Sequence, residues 1–217
     1  MAYFPFFVEM NGQRGLVAGG GTVALRKVEK LLPYGAQLTI AAPEISPALQ
    51  QLAAENHLPV WRKKAAPEMV DGFDFVIAVT DDPETNHTLA ARCREQKIPV
   101  NVVDDKDYCS FLFPSLIQSG PLSVGISTGG ASPTAAVWLR KQVEALLPDT
   151  LPEILRWMEQ LRPLMFQTLS DEPSRAKAYA ALLDAALKKG SPLDDAETQQ
   201  IIHSGFQKRR DNRYGRN

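Results

Sequence analysis

Cysteine is nearly absent from this chain. Cys93 and Cys109 are the only two in 217 residues. Two thiols cannot make a disulfide framework or a zinc-ligand pattern, and they imply free thiols in a reducing cytoplasm. Histidine is also sparse. His57, His87 and His203 are scattered and show no metal-ligand spacing, so no resident metal is expected. An excess of one charge is missing too. Lys and Arg number 24 against 25 Asp and Glu, for a net charge of −1. That balance leaves no electrostatic footprint for nucleic acid, and any anionic ligand must be met by a local basic cluster. No apolar run is long enough to span a bilayer. The N-terminal Met-Ala-Tyr-Phe-Pro-Phe-Phe-Val-Glu is apolar but lacks the basic region and cleavage site of a signal peptide. It is expected to be a strand or an extended arm packed on the body. Nucleophile-elbow and P-loop motifs are absent, as are internal repeats and low-complexity tracts. What is left, 44% hydrophobic and 23% charged residues, is an ordinary globular composition.

Against that plain background one stretch stands out. Gly15-Leu-Val-Ala-Gly-Gly-Gly-Thr-Val-Ala-Leu-Arg-Lys27 runs from an apolar strand through three glycines into a helix. The glycine fingerprint of dinucleotide-binding units fits as Gly19-x-Gly21-x-x-Ala24, with alanine in the permitted third place. Gly19 allows the tight turn, Gly21 lets the backbone approach a pyrophosphate, and Ala24 lets the helix lie close on the strand. The helix start offers free N–H groups and a positive dipole end to phosphate. A glycine-rich turn in another kind of α/β protein is the plain alternative.

Downstream, strands and helices alternate. Helix one is expected from Val23 to Leu32, strand two over Gln37–Ala42, and a helix entered at Ser46-Pro47. Val60-Trp61 reads as a short strand. The continuous apolar run Phe75–Thr80 reads as a strand buried on both faces. A helix follows from Asp81-Asp82-Pro83 to about Gln96, then a buried strand over Pro99–Val103. This order predicts a parallel sheet with helices on both faces. After Asp104 the pattern changes: Phe111–Pro114 is short and apolar, Leu122–Ser127 is a strand, and Ser132-Pro133 opens a helix to Leu147. Beyond Pro148 only helices are expected, over Leu151–Leu169, Ser174–Lys188 and Asp194–Phe206. Leu155, Met158, Leu161 and Leu164 are spaced for one apolar stripe, and a basic, frayed tail ends the chain. The domains predicted are a Rossmann-like unit at 1–113, a short α+β region at 114–147 and an all-helical domain at 148–217.

In doubly wound sheets, ligands bind beyond the carboxyl ends of the strands, so the strand ends carry the candidates. Strand two ends at Pro43-Glu44. Glu44 lies 23 residues after Gly21, near the spacing of a ribose-binding acid, but it is equally open to reading as a solvated loop carboxylate. Residues 41–50 contain no arginine, which favours NAD over NADP. Asp81 and Asp82 end the fourth strand and fit a helix cap. Asp104 closes the fifth. A half-desolvated carboxylate there would suit proton transfer, with a turn role as the alternative. Ser127-Thr128-Gly129-Gly130 before a capped helix is either a second anion site or a capping turn.

Taken together, Val17-Ala-Gly-Gly-Gly-Thr-Val-Ala-Leu-Arg-Lys, Ala78-Val-Thr-Asp-Asp, Asn101-Val-Val-Asp-Asp, Ser110-Phe-Leu-Phe-Pro-Ser and Ile126-Ser-Thr-Gly-Gly-Ala-Ser-Pro resemble a known family. It is the precorrin-2 dehydrogenase/sirohydrochlorin ferrochelatase group of siroheme synthases, matched along the whole chain. The resemblance implies an N-terminal Rossmann domain, a dimerisation region at 114–147 and a helical domain, assembled as a homodimer. It implies NAD-dependent oxidation of precorrin-2 to sirohydrochlorin, for siroheme or cobalamin, in the cytoplasm, with no membrane or nucleic-acid partner. Some members also insert iron. Others carry a fused methyltransferase that makes precorrin-2, and that segment is not expected here. Carried over residue by residue, the essential acid falls on Asp104. The cofactor contacts fall on Thr22 and Val23, after the bend glycines Gly19, Gly20 and Gly21 that the fingerprint already marks, and on Pro43 and Glu44. Thr128 falls where a hydroxyl is kept near the substrate, with Ser127 and Gly129 beside it in the candidate anion turn as further substrate contacts. Asp105 and Cys109 depart from some relatives, and Cys109 reads as a small buried residue. The substrate is an octacarboxylate, so Arg26, Lys106, Arg140, Lys141, Arg156 and Arg162 are candidates for its rim, each also readable as surface charge. Two rival readings are a chelatase without dehydrogenase activity and a non-catalytic NAD-sensing module.

Overall fold

A computed structural model describes residues 3–203. These fall into two compact units parted between Phe113 and Pro114. The first is built on a five-stranded, all-parallel sheet: β1 (Arg14–Ala18), β2 (Gln37–Ala41), β3 (Val60–Trp61), β4 (Phe75–Ala78) and β5 (Val100–Val102), in the order β3-β2-β1-β4-β5. The central strand β1 pairs Ala18 with Ala41 of β2 on one side and with Ala78 of β4 on the other. All carboxyl ends therefore lie along one edge, and the strand order reverses between β1 and β4. That is the switch point where such sheets take ligands.

The side-chain period of two sorts the core onto the two faces. On one, Val17, Ile40 and Ile77 pack with Ala24 and Val28 of α1 (Thr22–Leu31) and Leu49 and Ala53 of α2 (Pro47–Glu55). On the other, Leu16, Ala18, Val76, Ala78 and Val100 pack with Leu89, Ala90 and Cys93 of α3 (Pro83–Gln96). Continuous apolar strands are what two covered faces demand.

The second unit opens with an antiparallel hairpin, β6 (Ser115–Ser119) and β7 (Leu122–Ile126), turning at Gly120-Pro121. Helices α4 (Pro133–Leu146), α5 (Leu151–Gln160), α6 (Arg162–Thr168) and α7 (Glu172–Lys189) follow, and residues 195–203 are helical. Ile154, Met165, Leu169, Leu182 and Ile202 form its core.

The structure corrects four expectations. Among the described residues of the N-terminal arm no strand forms, and Phe4, Phe6 and Phe7 do not pack on the body, each being at least 75% exposed. Strand β6 was not expected, because Ser-Leu-Ile-Gln-Ser buries only Ile117 and so shows no apolar alternation. The single helix expected over 151–169 breaks at Leu161, where Pro163 has no N–H to continue the ladder. Met158, Leu161 and Leu164 join the helical core, but it is Ile154, not Leu155, that lies fully inside. The expected basic tail and the end of the last helix lie outside the described residues.

Candidate dinucleotide site and acid-bearing turn

The glycine bend explains itself atom by atom. Gly19 has φ +143° and a Cβ there would collide with the Val79 carbonyl. Its N–H donates to Ala41 at 3.0 Å, which continues the β1–β2 ladder into the turn. Gly20 is pressed against the loop after β2, where a Cβ would collide with the Glu44 carbonyl. The Ser46 N–H donates to the Gly20 carbonyl at 2.8 Å, so Pro43 and Glu44 are held against the bend with their side chains exposed.

Gly21 is different. It has ordinary extended backbone (φ −85°, ψ −169°) and no atom within 4 Å of a Cβ position. As N-cap of α1 it provides no side-chain hydrogen bond, and the first turn holds no acidic residue. By contrast α2, α3, α4 and α7 are capped by Ser46, Asp82, Ser132 and Asp171. The first N–H groups of α1 are thus left for an outside acceptor, with Thr22 and Val23 exposed beside them. Open space, free donors and a positive dipole end fit a diphosphate.

At the end of β4, Asp82 is a cap. Its carboxylate accepts from the Glu84 N–H at 3.2 Å, the Thr85 hydroxyl at 2.6 Å and Lys64 Nζ at 3.0 Å. The Thr85 hydroxyl and Lys64 hold its carboxyl down to about 2. Asn86, almost fully buried, bonds the Thr80 backbone through both amide atoms, at 3.1 and 3.0 Å.

At the end of β5, Asp104 has a left-handed backbone with φ +56°. Side chains other than glycine seldom adopt it, and such residues concentrate at functional sites. The expectation that Asp104 is half-desolvated is corrected, because it is exposed. Cys109 is partly buried and structural. Its Sγ accepts from the Val102 N–H at 3.1 Å and donates to the Val102 and Asp105 carbonyls at 3.2 and 3.3 Å. Burial pushes its thiol up.

Sequence reasoning missed Lys27. Its Nζ stands 3.8 Å from the Phe113 ring centroid and 3.4 Å from Asn101 Oδ1. Burial, with help from Lys30, pushes its ammonium down to about 8, while Cys109 and Asp104 oppose the shift. The signal was legible: Lys27 occupies the i+3 place in the buried stripe Ala24, Val28, Leu31 of α1. Arg26, chosen instead, is exposed.

Ser127, Thr128 and Gly129 belong to the second unit, where they close a turn of their own. Ser127 Oγ accepts from the Gly129 N–H at 3.2 Å. The Thr128 hydroxyl both accepts from the Ser132 N–H and donates to its carbonyl, each at 3.1 Å. Among the rim candidates, Arg140 pairs with Glu144 on its own helix, whereas Lys106, Lys141, Arg156 and Arg162 are exposed. Among the described residues no group of three or more His, Cys, Asp or Glu could hold a metal ion, and no helix is long and apolar enough to cross a membrane.

A doubly wound parallel sheet with a glycine bend and an uncapped helix at its switch point defines the nucleotide-cofactor-binding class of α/β proteins. The family described as "Putative NAD(P)-binding" matches residues 6–115, and the chain belongs to it. Residues 119–146 match the family described as "Sirohaem biosynthesis protein central". A siroheme synthase of Photorhabdus laumondii is 42% identical over 202 residues, covering 92% of this chain and 43% of that protein. One of Chromobacterium violaceum is 35% identical over 210 residues, covering 94% and 45%. The chain spans less than half the length of these relatives. Among solved structures, SirC, a precorrin-2 dehydrogenase, shares the fold with a TM-score of 0.73 at 21% identity, covering 94% of this chain and all of that one.

Proposed function

We propose that the chain oxidises precorrin-2 to sirohydrochlorin with NAD+ as the oxidant, in the cytoplasm, as a homodimer. The observation that carries the reading is the uncapped start of α1 at Gly21, on the same sheet edge as Asp104. The backbone of Gly19–Gly21 and the N–H groups of Thr22 and Val23 would hold the diphosphate, and the Pro43–Glu44 loop the adenosine ribose. The absence of arginine from 41–50 leaves nothing there to meet a 2′-phosphate, which supports NAD+. The cofactor supplies a hydride acceptor. An Asp104 carboxylate oxygen takes the proton that leaves the macrocycle. Being exposed, that carboxylate can hand the proton on to water.

The turn Ser127–Gly129, with Ser127 and Gly129 exposed and Thr128 half-buried, is the proposed substrate contact of the second unit. On α4, Val137, Trp138 and Leu139 are at least 39% exposed. An apolar surface of that kind supports a second copy of the chain as partner, in keeping with a dimerisation region at 114–147.

The test is incubation of the purified chain with enzymatically made precorrin-2 and either NAD+ or NADP+. Reduced cofactor should appear in equal amount to sirohydrochlorin, faster with NAD+. Oxidation at the rate of a protein-free control would end the reading. A parallel arm with preformed sirohydrochlorin and Fe2+, without cofactor, separates metal insertion from oxidation.

A further inference from the structure

Asp104 is held in its left-handed conformation from both sides. Before it, the Val103 N–H donates to the Ala78 carbonyl at 3.0 Å and extends the β4–β5 ladder by one residue. After it, Asp105 is bound four ways. Its Oδ2 meets His87 Nε2 at 2.8 Å, and its Oδ1 accepts from the Asp107 N–H at 3.3 Å. Its carbonyl accepts from the Tyr108 N–H and the Cys109 thiol, both at 3.3 Å.

The rest of this clamp also comes from α3. The Tyr108 ring lies flat on His87, with centroids 3.8 Å apart and 9° between planes. Arg94, two turns further along α3, stands 5.2 Å from the Tyr108 ring centroid and donates to the Asp107 carbonyl at 2.6 Å. Helix α3 is itself fixed, because Leu89, Ala90 and Cys93 are buried against the sheet. Of these contacts, the bond from His87 is the only one that ties the Asp105 side chain to α3. A left-handed non-glycine residue persists only where its surroundings over-determine it.

We propose that His87 is a positioning residue. Its hydrogen bond to Asp105 locks the 104–108 turn on α3 and thereby fixes the backbone that aims the Asp104 carboxylate. The Nε2–H donates to the carboxylate in the neutral ring, given that tautomer, and in the imidazolium. His87 needs no contact with cofactor or substrate. The inference rests on the proposed role of Asp104, since a lock on that turn matters to turnover only if the acid it aims takes part.

The experiment uses the full chain in the variants His87→Ala, His87→Gln, Asp105→Ala, the double His87→Ala/Asp105→Ala, and Asp104→Ala. Three quantities are read: kcat with precorrin-2 and NAD+, Kd for NAD+, and the Asp104 backbone in crystals of the single His87 variants. His87→Ala should lower kcat on the order of 10- to 100-fold, the effect of a displaced catalytic group, with Kd for NAD+ unchanged. His87→Gln, which can place an amide N–H near the position of Nε2, should recover most of the loss. Asp105→Ala, which also gives up the bond from the Asp107 N–H, should lose at least as much as His87→Ala, and the double variant should be no worse than Asp105→Ala alone. Asp104 should leave positive φ in His87→Ala and regain it in His87→Gln. Parental kcat together with a left-handed Asp104 in His87→Ala would overturn the proposal, and so would additive losses in the double variant. If His87→Ala fails to fold, Asp105→Ala and His87→Gln carry the same decision. Full activity in Asp104→Ala would remove that acid from the reaction, while the crystallographic readout would still decide whether His87 holds the turn.

Discussion

The ammonium of Lys27 stands 3.8 Å from the centroid of the Phe113 ring, on the buried side of the helix that opens at the glycine bend. An aromatic face and the side-chain Oδ1 of Asn101 are weak company for a desolvated cation, and this is why burial pushes Lys27 down to about 8. The Asp104 charge works in the opposite direction. Its removal in Asp104→Asn should therefore lower the Lys27 value further. NMR of 13C-dimethylated lysines across a pH series will show one amine titrating near 8 in the parent and below it in the variant. A Lys27 resonance that titrates with the surface lysines would contradict the burial.

The sign for stability follows. The Lys27 value falls from 10.5 unfolded to about 8 folded, so the unfolded chain holds more protons between those limits, and stability gains as pH rises through that window. The penalty for the buried charge is fully present below pH 8. Lys27→Met should therefore raise Tm at pH 7, and its advantage over the parent should shrink by pH 10. Melting curves at the two pH values decide it.

Adjacent glycines of the bend should respond in opposite ways. Gly20→Ala meets the Glu44 carbonyl, so the loop after β2 must move, and both Tm and NAD+ affinity should fall. Gly21→Asp meets open space at the N-cap of α1, where aspartate is favoured over glycine by a few tenths of a kcal/mol. Its Tm should hold or rise slightly, while its charge repels the diphosphate. We expect NAD+ affinity to fall at least tenfold in calorimetric titration, with the fold intact. Unchanged affinity would move the cofactor away from this bend.

The sequence made the parallel sheet legible because its signals agreed at every level. Glycines followed an apolar strand, Ser46-Pro47 and Asp82-Pro83 marked helix starts, and Phe75–Ala78 was apolar throughout. Strand β6 escaped because a two-stranded hairpin buries one side chain of five there, and periodicity has nothing to grip. Asp104 was legible as a strand-end acid, but its left-handed backbone was not, since aspartate carries no mark for φ the way glycine does. His87 looked solitary because its partners, Asp105 and Tyr108, lie about 20 residues away and meet it only when α3 packs beside the end of β5. Lys27 was overlooked for a different reason: a charge in a buried stripe is normally discounted as an error in the helical register.

Asp82 should matter to acid stability. The Thr85 hydroxyl and Lys64 hold its carboxyl at about 2, below the ordinary 3.8. A depressed carboxyl contributes stability above its unfolded value and loses it as pH falls through the folded one. Asp82→Ala should thus lower Tm at pH 7, and the difference from the parent should close as pH drops from about 4 toward 2. A gap that persists at pH 2 would mean that the side chain acts through packing alone.

Asp104→Gly separates what the fold wants at this position from what the reaction needs. A left-handed aspartate is disfavoured by roughly 1 kcal/mol, and glycine removes that strain. Glycine also loosens the unfolded chain, which returns part of the gain. The net effect should be stabilisation by about 0.5 kcal/mol, a rise in Tm of roughly 1–2 °C for a chain of this size. Turnover should fall about 10²- to 10⁴-fold, the usual loss when a positioned acid–base group is removed, and NAD+ affinity should stay at the parental value. A more stable and inactive protein would mark Asp104 as a residue kept for chemistry against the preference of the backbone. A lower Tm would instead show that the carboxylate holds the turn together, and the strain at φ +56° would then have a structural purpose.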